Sequence, residues 1–185
     1  MLKRIGWTIL LCALLLTAAA ETAPAYTAPA YTAPEPGAPL ALETDLGLLV
    51  DGVWYPILND FAPLLAALGE PTDLVAAPSC VFKGEDKEFV YDGMSVYTNP
   101  LGEVDVWYEA YITGADFRTA RGIGIGAALE DVLAAYGENY YLEGEDMLTY
   151  SLSGDPEDYA SPCLVFTLTD GAVSCIDIYY PTNTL

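Results

Sequence analysis

The chain has no histidine. That absence excludes a Ser-His-Asp triad, a Cys-His nucleophile pair and histidine-bound zinc, and it removes the commonest general base. Basic side chains are scarce too: six Lys and Arg stand against 27 Asp and Glu in 185 residues. A surface of that sign repels phosphate backbones and anionic headgroups, so nucleic acid and acidic membranes are excluded as partners. The four cysteines form no C-x-x-C pair, which argues against metal or redox use. The acid clusters at 84–86, 143–146 and 154–158 miss the D-x-[DN]-x-[DN]-G spacing of a calcium loop and read as solvated turns.

What is present begins with a signal. Lys3 and Arg4 precede the apolar run "IGWTILLCALLLTAA", and Ala18-Ala19-Ala20 supplies small residues for cleavage, so residues 1–20 read as a secretory signal peptide. Cys12 follows Leu11 rather than a small residue, which argues against lipidation; membrane attachment is expected only if the signal stays uncleaved. Removing it leaves Lys83, Lys87, Arg118 and Arg121 against all 27 acids, a net charge of −23. The expected location is secreted or cell-surface. An exported chain with Cys80, Cys163 and Cys175 has room for one disulfide, and a bond from Cys80 to either other residue is the expected pairing.

Residues 21–44 contain "TAPAYTAPAYTAPEP", a five-residue repeat dense in proline, read as an extended spacer. A single globular domain follows, in two tandem units over 45–114 and 115–185. "PILNDFAPLLAALGE" (56–70) aligns without gaps on "GIGAALEDVLAAYGE" (124–138), and "VDVWY" (104–108) matches "IDIYY" (176–180) in pattern. The offsets, 68 and 72 residues, nearly coincide, as a duplicated design requires.

Each unit opens with a helical period. Phe61, Leu64, Leu65 and Leu68, then Leu129, Val132, Leu133 and Tyr136, fall at i, i+3, i+4 and i+7. Asn59 or Asp60 caps the first start, and Gly69 and Gly137 are placed as left-handed C-terminal caps. Period-2 segments follow: "SCVFKG", "KEFVYDG", "SVYTNP" and "GEVDVWYEAYI", then Tyr140–Leu142, "MLTYSL", "CLVFTLT" and "AVSCIDIYY". Asp51-Gly52 and Asp170-Gly171 mark hairpins. The expected class is α+β, with each unit a short helix followed by three to four antiparallel strands and the helices on one face of a curved sheet.

Gly122, Gly124 and Ala127 match the G-x-G-x-x-A spacing of a dinucleotide loop. The preceding "ADFRTAR" is too polar for the buried parallel strand such a loop needs, and the matching positions of the first unit are Trp54, Pro56 and Asn59. The glycines therefore read as turn and packing residues, with no cofactor.

Strand alternation nominates a surface instead. In "EVDVWYEAYI", Val104, Val106, Tyr108, Ala110 and Ile112 share one face, and Asp105, Trp107, Glu109 and Tyr111 the other. In the second unit Ile176, Ile178 and Tyr180 oppose Asp177 and Tyr179. With the helices over the aliphatic face, Trp107, Tyr111 and Tyr179 stand among Asp105 and Asp177 on an open face, and aromatics ringed by acids suit protein binding. The expectation is an exported, non-catalytic interaction module; a small carboxylate-dependent hydrolase is the enzymatic alternative.

The arrangement I-x-I-G-x-x-x-x-D-V-L-x-x-Y-G at 123–137, followed by antiparallel strands and repeated in tandem, resembles the β-lactamase inhibitory protein fold and the related small lipoproteins of outer-membrane assembly machinery. "APSCVFKGEDKEFVYDGMSVYTNP" (77–100) looks like uncharacterised secreted proteins and lipoproteins of Gram-positive anaerobes. The likeness covers roughly residues 50–180. In the inhibitor family the concave sheet face binds an enzyme, which implies by analogy that the open face here docks a protein, with secreted enzyme inhibition as the alternative function.

Overall fold

The computed structural model describes residues 26–182; the expected signal peptide lies outside them. The elements in order are α1 (Leu42–Asp45), β1 (Gly47–Val50), β2 (Val53–Pro56), α2 (Ala62–Leu68), β3 (Asp73–Pro78), β4 (Glu85–Tyr91), β5 (Met94–Leu101), β6 (Val104–Ile112), α3 (Leu129–Tyr136), β7 (Tyr141–Glu143), β8 (Met147–Ser151), β9 (Cys163–Thr169) and β10 (Ala172–Tyr179). β1 and β2 pair as a hairpin turning at Asp51-Gly52, and the other eight strands form one sheet in the order β3-β4-β5-β6-β10-β9-β8-β7. Every neighbouring pair is antiparallel. The class is α+β, dominated by antiparallel sheet.

Local chemistry explains the boundaries. The Asp60 carboxylate accepts from the Ala62 N–H at 3.0 Å, and Pro63 sits in the first turn of α2, where its missing N–H is harmless. Gly69 and Gly137 end the two helices, each N–H donating back to Leu65 or Leu133. Their φ/ψ values of +81/−166 and +79/−167 correct the expected left-handed caps: they occupy a region open essentially to glycine alone. A second correction concerns the first strand after α2. It is "DLVAAP", not "SCVFKG"; Ser79 Oγ instead accepts from the Val81 and Phe82 N–H groups, making 79–84 a turn. β3 has no alternation to detect, because it is an edge strand with all six residues exposed.

Pairing register builds the core in rows. Phe89, Val96, Ala110, Ile178, Leu164 and Tyr150 lie directly opposite one another across six strands, as do Tyr91, Met94, Ile112, Ile176, Phe166 and Leu148. All of these except Tyr91 are buried. Phe61 meets the Phe89 ring at 4.6 Å, and Tyr136 meets Tyr150 and Phe166 at 5.4 and 5.3 Å. Leu64 and Val132 belong to the same apolar cluster.

The proline-rich stretch is more than a spacer over its described part. Tyr26 stacks on Tyr55 at 5.0 Å and Tyr31 on Trp54 at 4.7 Å, while the Tyr31 hydroxyl donates to the Ala120 carbonyl at 2.7 Å. Tyrosine every fifth residue supplies rings that the surrounding Ala and Pro lack. The strap then delivers α1, whose Asp45 is wholly buried and takes a bidentate bond from Arg121, Nε to Oδ1 at 2.7 Å and a terminal nitrogen to Oδ2 at 2.9 Å. Arg121 also donates to the carbonyls of Ala38, Pro39 and Ala135, and its guanidinium lies 4.6 Å from the centre of the Tyr136 ring. One side chain thus clips the strap, α1 and α3 together.

Removing one partner of such a pair strands a buried charge. Arg121→Met or Asp45→Leu alone is expected to cost roughly 3–5 kcal/mol in urea unfolding, and the double variant to recover part of that loss. A single-variant loss below about 1 kcal/mol would mean that the strap, not the pair, holds this corner.

Candidate functional site

The second face of the sheet carries the side chains between the core rows. Register aligns Glu88, Tyr97, Glu109, Tyr179, Cys163 and Ser151 in one row, and Val90, Ser95, Tyr111, Asp177, Val165, Thr149 and Tyr141 in the next. Val165, Thr149 and Ser151 form its buried floor toward β8. Tyr111 is 44 % exposed, and Tyr97, Tyr108, Glu109, Asp177 and Tyr179 are half-buried.

Two of the five residues nominated from the sequence are not on this face. β6 carries a bulge: Tyr97 opposes Glu109 and Thr98 opposes Trp107, so Tyr108 is the extra residue. A bulge inverts alternation beyond it. Trp107 consequently turns into the core, 0 % exposed, among the cluster containing Leu64 and Ala110. Asp105 follows it, and pairs with Lys87 Nζ at 2.7 Å; Lys87 shares the face of Phe89 and Tyr91. Tyr111, Tyr179 and Asp177 do come together, with Tyr111 directly opposite Asp177. In exchange the bulge brings in Tyr108, whose ring stands edge-on to Tyr179 at 6.4 Å.

The residues missed at sequence level are Glu88, Tyr97, Tyr108 and, as a site residue, Glu109. "KEFVYDG" and "SVYTNP" alternate cleanly, so Glu88 and Tyr97 were within reach once pairing was known. No sequence signal marks the bulge.

Electrostatically the face is one-sided. Burial, and then the Glu88 charge, raise the Glu109 carboxyl above its usual range. Burial, and then Glu109, push Asp177 up to about 7. Its Oδ1 is sealed from solvent and lacks a hydrogen-bond partner. Tyr97 donates to Glu88 at 2.9 Å and is pushed up to about 12 by burial together with that bond. Burial and the neighbouring Glu109 hold Tyr108 near 12, and burial with Asp177 does the same for the Cys163 thiol. Among the described residues the ion pairs are Lys87–Asp105 and Arg121–Asp45, and neither lies here.

Other candidates resolve differently. The three cysteines 80, 163 and 175 are free, which corrects the expected Cys80 bond: Cys80 is exposed in the 79–84 turn, away from the sheet face bearing the other two. Thr169 faces Ala172 across the Asp170-Gly171 turn, and a bulge at Ser174 sets Cys175 opposite Thr167. The glycine run does line a cavity of about 800 Å³, together with Ala33, Pro34 and Arg118. It follows no parallel strand; residues 118 and 124 bridge antiparallel, and Thr119 and Ile123 share a backbone hydrogen bond. Among the described residues no group of three or more His, Cys, Asp or Glu is arranged to hold a metal ion, and no helix is long and apolar enough to cross a membrane.

Asp177 makes the face pH-sensitive. A carboxyl whose folded value is raised contributes stability that is full below its unfolded value near 4 and is lost as pH climbs through about 7. Between pH 5 and pH 8, Asp177→Asn should therefore gain on the wild type by roughly 1–2 kcal/mol after allowance for partial exposure, about 2–6 °C in melting temperature. Parallel melting curves at both pH values would place the Asp177 carboxylate in ordinary solvent.

Comparison with known proteins returned no matching family model, no matching curated protein and no matching solved structure, so a functional reading rests on the geometry of this face.

Proposed function

We propose that the chain is an exported, non-catalytic interaction module that docks a protein partner on the second face of its sheet, with Tyr97, Tyr108, Tyr111 and Tyr179 as the contact aromatics. The observation that carries this reading is the pair of register rows, in which tyrosines alternate with Glu88, Glu109 and Asp177 over the four strands β4, β5, β6 and β10. Amphipathic rings lose little entropy on binding and dominate contact energy where they cluster. Trp107, nominated with them from the sequence, serves the core beneath, and Asp105 lies on the opposite side.

The same proposal takes the domain as a duplicated design. α2 precedes four strands and α3 precedes four strands, and the sheet order runs outward from a β6–β10 seam to β3 on one side and β7 on the other. Ring contacts of Phe61 and Tyr136 with core-row residues favour both helices on one face, leaving the other for a partner. Export follows from the signal pattern at 1–20. Secreted enzyme inhibition is a narrower form of this reading, favoured by the helix-then-strands order and its resemblance to the inhibitor fold. A hydrolase built on Glu109 and Asp177 would need those carboxyls in a cleft, whereas they stand on an open sheet.

A photo-crosslinking residue placed at Tyr111 should trap one protein partner from the producing cell's exported fraction, and the same residue at Tyr159, 89 % exposed in the loop joining β8 and β9, should not. Tyr97→Ala with Tyr179→Ala should weaken that partner's binding about tenfold or more without lowering the melting temperature by more than a few degrees. Identical adducts from positions 111 and 159 would remove the docking face.

A further inference from the structure

We infer that the partner engages this face with a lysine or arginine side chain, seated between Glu109 and Asp177 and flanked by the rings of Tyr108 and Tyr179. The inference rests on the docking reading above and names the chemistry of its occupant.

Glu109 opposes Tyr179, and Asp177 lies two residues before Tyr179 on the same strand, so the two carboxylates are diagonal neighbours across the β6–β10 seam. Diagonal positions sit about 7–8 Å apart at the backbone, a gap that one ammonium or guanidinium group can bridge with a carboxylate on each side. The Tyr108–Tyr179 pair stands beside that gap and offers ring surface to a cation. Asp177 Oδ1 is withdrawn from water with no donor to meet it, so the carboxylate lacks any neutralisation from within the fold, which a cation at its open side would supply.

The two cations of the protein that form ion pairs do not fill the role. Arg121 is consumed by Asp45 and backbone carbonyls, and Lys87 by Asp105. A metal ion is a poorer fit, since no three ligating groups converge among the described residues. A free amine is poorer as well: small ligands are held by concavities that bury most of their surface, whereas this is a broad sheet face. A side chain presented by a protein surface brings its own cover. The −23 charge of the mature chain attracts a basic surface at long range, and the paired carboxylates then fix its register.

Docking is coupled to protons. Facing Asp177 are Glu109 and Tyr111 from β6, Cys163 from β9 and its strand neighbours Cys175 and Tyr179, with Glu88 on β4 and Glu143 on β7 farther out along the face. None of these is cationic. A bound cation therefore draws Asp177 and Glu109 into their ionised forms, and both hold protons more tightly than usual in the free protein. Binding should strengthen as pH rises from 5.5 to 8.

The test uses the mature chain and an octapeptide of lysines, titrated by calorimetry at pH 8 and pH 5.5. The expected result is one peptide per chain, bound about tenfold more tightly at pH 8. Glu109→Gln with Asp177→Asn should weaken binding at pH 8 at least tenfold, whereas Glu130→Gln with Glu138→Gln, an equal change in charge on exposed positions of α3 and its end, should leave it within twofold. The single Glu109→Gln variant, carried in parallel, covers the case of a poorly folded double variant. Equal losses from both double variants would overturn the site in favour of diffuse charge. Spermidine binding as tightly as the peptide would overturn the protein side chain as occupant. If the partner trapped at Tyr111 binds the Glu109/Asp177 variant normally, the cationic contact falls and the docking face stands; if nothing is trapped there, both fall.

Discussion

The β6–β10 seam is the contact on which the rest of the molecule depends. It joins the four strands after α2 to the four after α3, yet it consists of only four register pairs, Ile112–Ile176 to Glu109–Tyr179. It stops there because β6 changes partner. Beyond Tyr108 its free edge is taken by the segment leading into α2: the Leu58 N–H donates to the Trp107 carbonyl at 2.9 Å and the Phe61 N–H to the Asp105 carbonyl at 2.8 Å. The bulge sits at this change of partner. It lets one strand serve two neighbours, turns Trp107 inward beneath α2, and gathers Tyr108 and Glu109 onto the outer surface.

The two faces answer buried charge in opposite ways. On the core side Asp45 is met by a bidentate guanidinium, and the charge becomes a fastening between strap and body. On the outer side Glu109 faces Glu88 and Asp177 faces Glu109, and the cost of burial goes into retained protons.

Much of this was legible in the sequence. The helical faces of Leu64 and Val132 and the turns at Asp51-Gly52 and Asp170-Gly171 were set by side-chain period and turn chemistry, which act locally. So was the aliphatic face of Ala110, Ile112, Ile176 and Ile178. What escaped was set by pairing. Trp107 and Asp105 were placed on the wrong side because a single unpaired residue inverts every position before it, and "VDVWY" alternates as regularly as "IDIYY". β3 escaped for the opposite reason: an edge strand exposed on both sides has no pattern to impose. The strap escaped because Tyr26 and Tyr31 find their partners, Tyr55 and Trp54, more than twenty residues away in a stretch whose composition reads as open chain.

β3 has a consequence for how the molecule keeps to itself. A six-residue edge with exposed Leu74 and Val75 presents unpaired backbone groups that another strand could extend. Natural sheets block such edges with lysine, a bulge or a covering loop. This one has Pro78 at one end and, for the rest, a fringe of carboxylates: Asp73 on the strand, Glu85 and Asp86 across from it and Glu70 just before it. Repulsion between like-charged copies is the guard, and it reaches only as far as the surrounding salt allows. Salt, which leaves the pairing within one molecule untouched, therefore sets how closely the margins of two molecules can approach.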